Sequence, residues 1–240
     1  MKRLALRSVL GILAVSLWSL PSRAADELIT TARIAGGETI PYVLTSKPGK
    51  PSVAVILMPG GRGLLNLRQE DGKILMELSG NFLTRSRELF ADGRIVAIST
   101  DATTTPERIM AVVQDLQARF GSLSVYILGT SRSTESTMAL ARRIDGQVEG
   151  FVHSSSVNAI ASFDPRGLRS RHLIVLHKQD ACRVTMPSSG IASNRNFGTV
   201  LVEMEGGQSV GDDCGAWAHH GYNGVEAETV DRIKAWIFRE

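Results

Sequence analysis

The residues best placed to do chemistry lie between positions 125 and 142. A short apolar run, Val125, Tyr126, Ile127 and Leu128, stops at Gly129, and Ser131 follows two residues later. Ser133 comes next, and then an alanine-bearing stretch able to form a helix up to Arg142. A strand that ends in a sharp turn and passes straight into a helix perches a serine hydroxyl above a sheet. It also points the helix N-terminus at the same spot. Such elbows usually carry glycine where this chain has Ser133, and a Cβ there is expected to crowd the helix against neighbouring strands.

A serine hydroxyl is a poor nucleophile near neutral pH. It needs a base, normally histidine, and a carboxylate that holds the imidazole in the right tautomer. Asp180 follows Ser131 in the chain, and His219 and His220 follow Asp180. Serine, acid, histidine is the order used when the nucleophile sits on a strand-to-helix elbow. His220 is the preferred base, because Gly221 beside it allows a tight turn. His219 is the alternative. Asp212 and Asp213 are rival acids, placed second because they are not at a strand end. His153, His172 and His177 are read as structural. A tetrahedral intermediate needs N–H donors for its oxyanion. The candidates are the N–H of Arg132, just past the serine, and those of Gly61 and Gly60.

These residues need elements to hold them. Residues 52–58 form a near-continuous apolar run rich in branched side chains, which suits a strand buried on both faces. The run ends at Pro59, Gly60, Gly61, Arg62 and Gly63. Further strands are expected at 28–34, 39–45, 94–100, 125–128, 150–153, 171–177 and 199–204, and a small hairpin near 73–78. Helices are expected at 81–91, from Pro106 to Gly121, after the elbow, and over 225–238. Residues 154–167 show no convincing helix. Strands alternating with helices predict an α/β fold with a mainly parallel sheet covered on both faces. In such sheets, sites lie at the carboxyl ends of strands. Gly60, Gly61, Ser131 and Asp180 all sit just past strand ends.

The first 24 residues read differently. Lys2, Arg3 and Arg7 precede an apolar run that Pro21 breaks, and Ser22, Arg23 and Ala24 resemble a cleavage site. This predicts a secretory signal peptide followed by one domain over 25–240. The run is short for a span, which takes roughly 20 residues, so no stable membrane anchor is expected after cleavage. The leader carries Lys2, Arg3, Arg7 and Arg23 and no acid, so without it 27 basic residues become 23 against 24 acidic ones, a net charge of −1. Nothing then argues for nucleic acid or an anionic membrane as partner. In an exported chain the two cysteines, Cys182 and Cys214, suggest a disulfide. It would close a loop of about 33 residues, contributing about 3–4 kcal/mol by chain entropy. It would also tether the Asp180 loop to the His220 loop. The cysteine spacing does not match a tetrahedral zinc site, and neither a metal nor an organic cofactor is implied.

Taken together, these motifs resemble the α/β-hydrolase superfamily, and more closely its small exported bacterial members. The matching pieces are Met58 with Pro59, Gly60, Gly61, Arg62 and Gly63; Asn81, Phe82, Leu83, Thr84, Arg85 and Ser86; Gly129, Thr130, Ser131 and Arg132; Asp180, Ala181, Cys182, Arg183 and Val184; and His220, Gly221 and Tyr222. The resemblance implies an α/β-hydrolase sheet, Ser131 as nucleophile, Asp180 as acid and His220 as base. A superfamily this broad says little about substrate; with the leader and the three residues, the expectation is a periplasmic or secreted serine esterase acting on a small ester-like substrate through an acyl-enzyme. No insertion of cap-domain size separates the strands at Phe151 and Leu173, so an open site is expected. Two alternatives remain at this point: a non-catalytic envelope or binding protein of the same fold, and an acyltransferase that uses the same three residues.

Overall fold

The computed structural model describes residues 24–239; the expected signal peptide lies outside them, apart from its final residue. The chain opens with β1 (Asp26–Arg33) and β2 (Thr39–Ser46), which pair antiparallel. The buried run becomes β3 (Val53–Met58). A hairpin of β4 (Arg68–Glu70) and β5 (Lys73–Leu75) follows, close to the expected one. Next come two short helices, α1 (Phe82–Arg85) and α2 (Arg87–Phe90), then β6 (Ile95–Ser99) and α3 (Pro106–Phe120). The elbow joins β7 (Ser124–Thr130) to α4 (Ser133–Arg143). The rest is β8 (Gly150–Ser154), β9 (Arg171–His177), α5 (Pro187–Phe197), β10 (Val200–Met204) and α6 (Glu226–Phe238).

Eight strands form one sheet in the order β1-β2-β6-β3-β7-β8-β9-β10. β2 also pairs antiparallel with β6, and every later pairing is parallel. The register aligns Met58 with Gly129, Thr130 with Ser154, and Ser154 with Val175. The carboxyl ends of β3, β7, β8 and β9 therefore share one edge.

Successive side chains of a strand face opposite sides, and β3 shows the consequence. Ala54, Ile56 and Met58 join Ile109, Val112, Val113 and Leu116 of α3 and Leu140 of α4 in one core. Val53, Val55 and Leu57 join Phe82, Leu83 and Phe90 of α1 and α2 and Val230, Ile233 and Ile237 of α6 in the other. Helices thus cover both faces, as the buried strand runs predict.

Two elements depart from the sequence reading. The helix expected over 81–91 breaks at Ser86 (φ −91°, ψ 2°). Its halves are tied to different places: Arg85 to Glu226, and Arg87 to Glu27. α5 was not expected. Its buried positions are Ser189, Gly190 and Ser193, so it has no apolar stripe to read. The small residues let the helix lie directly on β9: a Cβ at Gly190 would sit 2.9 Å from Leu176.

Of the three histidines read as structural, His153 and His172 form a buried pair. His153 Nε2 lies 3.1 Å from His172 Nδ1, and His153 Nδ1 lies 2.7 Å from the Thr137 hydroxyl. The Thr137 hydroxyl also lies within donating distance of the Thr134 carbonyl, at 3.0 Å. Burial disfavours the imidazolium. It lowers His172 to about 4 and holds His153 well below its ordinary value, with His172 adding to the effect. Both rings are neutral when folded and take up protons more readily when unfolded. For His172 the contribution is complete above pH ~6.5 and is lost as pH falls towards 4, about 3 kcal/mol, and His153 acts in the same direction. The thermal midpoint should fall between pH 7 and 4.5. The fall should be shallower in the His153→Leu, His172→Phe double variant. Equal slopes would remove this account.

Candidate functional site

Ser131 sits between β7 and α4 at φ +55°, in the left-handed region. A non-glycine residue holds that conformation only when its surroundings impose it. Here the Ser131 N–H donates to Ser154 O (3.0 Å) at the end of β8. The Ser131 carbonyl accepts from Thr134 N (3.0 Å) and the Thr134 hydroxyl (2.6 Å). Among the described residues the Ser131 hydroxyl has no hydrogen-bond partner.

The crowding expected of Ser133 is absent. Its side chain is buried, and its hydroxyl accepts from Thr130 N at 2.8 Å. It lies within donating distance of Met58 O (2.8 Å) and Thr130 O (2.9 Å). The serine thus fastens the end of β3 to the end of β7 beneath the elbow. The turn after β3 then presses on the elbow itself: a Cβ on Gly60 would lie 2.7 Å from Thr130 O and 2.8 Å from Ser131 Cβ.

Asp180 follows β9 and is buried. Its Oδ1 accepts from Cys182 N (2.9 Å), and its Oδ2 lies 3.0 Å from His220 Nδ1. The Thr185 hydroxyl lies 3.2 Å from Asp180 Oδ2 and 3.0 Å from His220 Nδ1. Nδ1 therefore faces the acid, and Nε2 is left for other work. His220 lies in a 3-10 turn, His219–Gly221, in the loop between β10 and α6. Its carbonyl accepts from the Ser155 hydroxyl (2.7 Å). Tyr222 packs on Phe82 with ring centroids 4.5 Å apart, accepts from Ser155 N (2.9 Å) and donates to Val175 O (2.9 Å). Arg85 donates to Gly80 O and Gly221 O, each at 2.6 Å. Glycine is required beside the histidine, because a Cβ at 221 would lie 2.0 Å from Ala216 O.

Cys182 and Cys214 are bonded, with Cα atoms 4.7 Å apart. The bridge joins the Asp180 loop to the His220 loop. Ser131 and His220 both border one cavity of about 230 Å³, with Gly60, Gly61, Phe82 and Cys214 also in its wall. Arg132 is exposed at the start of α4, one residue from Ser131.

The rival residues lie elsewhere. His219 stacks on His177 at 4.5 Å, and His177 Nε2 lies 3.0 Å from Gly206 O. Asp212 and Asp213 are exposed, and Asp212 accepts from Cys214 N at 2.8 Å. Asp180, Cys182 and His220 offer donor atoms within 4.8 Å of one another. Disulfide sulfur is no thiolate, however, so the trio lacks the donor set of a zinc site. Sequence reading missed Thr185 and Ser155, since nothing in a lone hydroxyl residue marks it as a partner of a distant carboxyl or carbonyl.

Ser133→Ala should leave the Thr130 N–H buried without an acceptor, at a cost of about 1–3 kcal/mol. Chemical denaturation would measure it. A loss of only a few tenths would mean that the hydroxyl does not fasten the two strands.

No protein-family model and no curated protein matches the chain. Solved structures do match. A dienelactone hydrolase from Anabaena variabilis superposes with a TM-score of 0.63 at 12% identity, covering 90% of this chain and 98% of that one. The esterase domain of a Rhodothermus marinus protein gives 0.62 at 11%, covering 89% and 98%. A cold-adapted esterase from an Arctic intertidal metagenomic library gives 0.60 at 14%, covering 92% and 98%. At these identities the likeness speaks for architecture. With the parallel sheet, the strand-to-helix elbow and helices on both faces, it assigns the chain to the α/β-hydrolase fold.

Proposed function

We propose that this chain is an exported serine hydrolase that cleaves small carboxylic esters through an acyl-enzyme. One observation carries the reading. A serine held at positive φ on the elbow shares a cavity with a histidine whose Nδ1 is already turned to a buried carboxyl. The esterases among the structural neighbours support it only at the level of fold.

In this reading Ser131 Oγ attacks the ester carbonyl as His220 Nε2 takes its proton. The new imidazolium is stabilised by Asp180, which keeps its own charge. The carbonyl oxygen becomes an oxyanion, held by the N–H groups of Arg132 and of Gly61 or Gly60. Collapse breaks the bond to the alcohol oxygen, and His220 returns the proton to that leaving group. Water then attacks the acyl-serine and gives its proton to His220. Collapse releases the carboxylic acid as Ser131 recovers its proton. Serine and histidine need not be in contact beforehand, since such contacts often tighten only around substrate. Thr185 is a positioning residue: its hydroxyl holds Asp180 and His220 in register. We assign residues 25–240 to one domain and place the protein in the periplasm or outside the cell. The disulfide fits an oxidising compartment, and no described helix is long and apolar enough to cross a membrane.

A panel of short- and long-chain aryl esters tests the reading. Short acyl groups should be preferred, because the cavity is small. Ser131→Ala and His220→Ala should each lose about a thousandfold or more in kcat. Thr185→Val should lose about tenfold, by freeing the acid–base pair to misalign. Undiminished turnover in folded His220→Ala would contradict the assignment.

A further inference from the structure

The elbow that presents Ser131 to the apolar cavity also borders a charged surface. A second cavity of about 220 Å³ lies between the turn after β3 and the start of α4, with Gly61, Arg62, Arg132, Ser133 and Ser136 in its wall. A third, of about 370 Å³, has both Ser131 and Arg132 in its wall. Gly61 borders the second cavity and the cavity of His220 alike. Arg132 thus borders one cavity together with Ser131 and another together with Arg62, next to the apolar recess of His220.

The described arginines fall into two groups, and Arg62 and Arg132 share the one without ion pairs with Arg33, Arg142, Arg143, Arg183 and Arg195, among others. Arg85, Arg87, Arg108, Arg119 and Arg166 are all paired with carboxylates. Arg62 and Arg132 are exposed, and among the described residues neither forms an ion pair. Glu135 borders both charged cavities. It is bonded to Arg132 only through the backbone, Glu135 N to Arg132 O at 3.1 Å. Two cations against one anion leave a net positive recess. The α4 N-terminus, with its own positive end, adds to it. A guanidinium fork matches the two oxygens of a carboxylate.

We infer that the substrate is an ester with a carboxylate on its alcohol half, held by Arg62 and Arg132, and a short acyl group in the apolar cavity. This rests on the hydrolase reading above and goes on to name the substrate class.

The test compares 4-acetoxybenzoate with the neutral 4-acetoxybenzamide, using the mature chain. The ratio of their kcat/KM values cancels any effect common to both. Arg62→Gln should lower the anion-to-neutral ratio about tenfold. Glu135→Gln should raise it, and high salt should lower it in the wild type. An unchanged ratio in Arg62→Gln would overturn the inference while leaving hydrolysis intact. If neither ester is cleaved, the hydrolase reading fails on its own. Calorimetric binding of 4-hydroxybenzoate then decides: binding that weakens about tenfold in Arg62→Gln upholds the carboxylate site, and no binding, or binding indifferent to that change, rejects it.

Discussion

A carboxyl group taken out of water must find partners for both oxygens, and Asp180 is where this chain meets that demand. Leaving such a group unpaired would cost several kcal/mol. One oxygen takes the Cys182 N–H, and the other faces His220 and Thr185. Those partners come from two loops on either side of α5 and β10, and the partnership dictates how both loops run. The disulfide joins the same two loops by a second route. Arg85, Ser155 and Tyr222 fix the backbone around His220 by a third. The histidine is thus held by its carbonyl, by its neighbours and by its ring, before any ligand is considered.

The other half of the site answers a different constraint. Ser131 must sit at positive φ, a conformation its Cβ disfavours. The bond from its N–H to Ser154, the two donors from Thr134 and the underlying Ser133 hydroxyl together hold it there. Gly60 is small for the same reason, since a larger residue would strike the elbow. Both constraints are met at the edge where the parallel strands end, because the register of β3, β7, β8 and β9 aligns their carboxyl ends.

Much of this was legible in the chain. Apolar runs located the strands because a strand buried on both faces has no polar alternation to disguise it. Order and strand position singled out Ser131, Asp180 and His220, and the structure brings the last two into contact. The limits were physical as well. α5 packs through serines and glycine, so hydrophobic periodicity could not reveal it. Across the break at Ser86, Arg85 and Arg87 pair with carboxylates on different elements, which only the assembled fold brings within reach. Ser133 looked like a defect because its Cβ is visible in the sequence, whereas the three backbone groups around its hydroxyl are not. Thr185 carries no local signature at all.

The central claim is that Ser131 is a nucleophile made reactive by His220 and Asp180. Treatment with a fluorophosphonate, followed by peptide mapping of the adduct, tests it most directly. The account predicts one adduct, on the peptide containing Ser131, absent in Ser131→Ala and much slower to form in Asp180→Asn. A native, folded chain that stays unlabelled, or that takes the label on another residue, would contradict it.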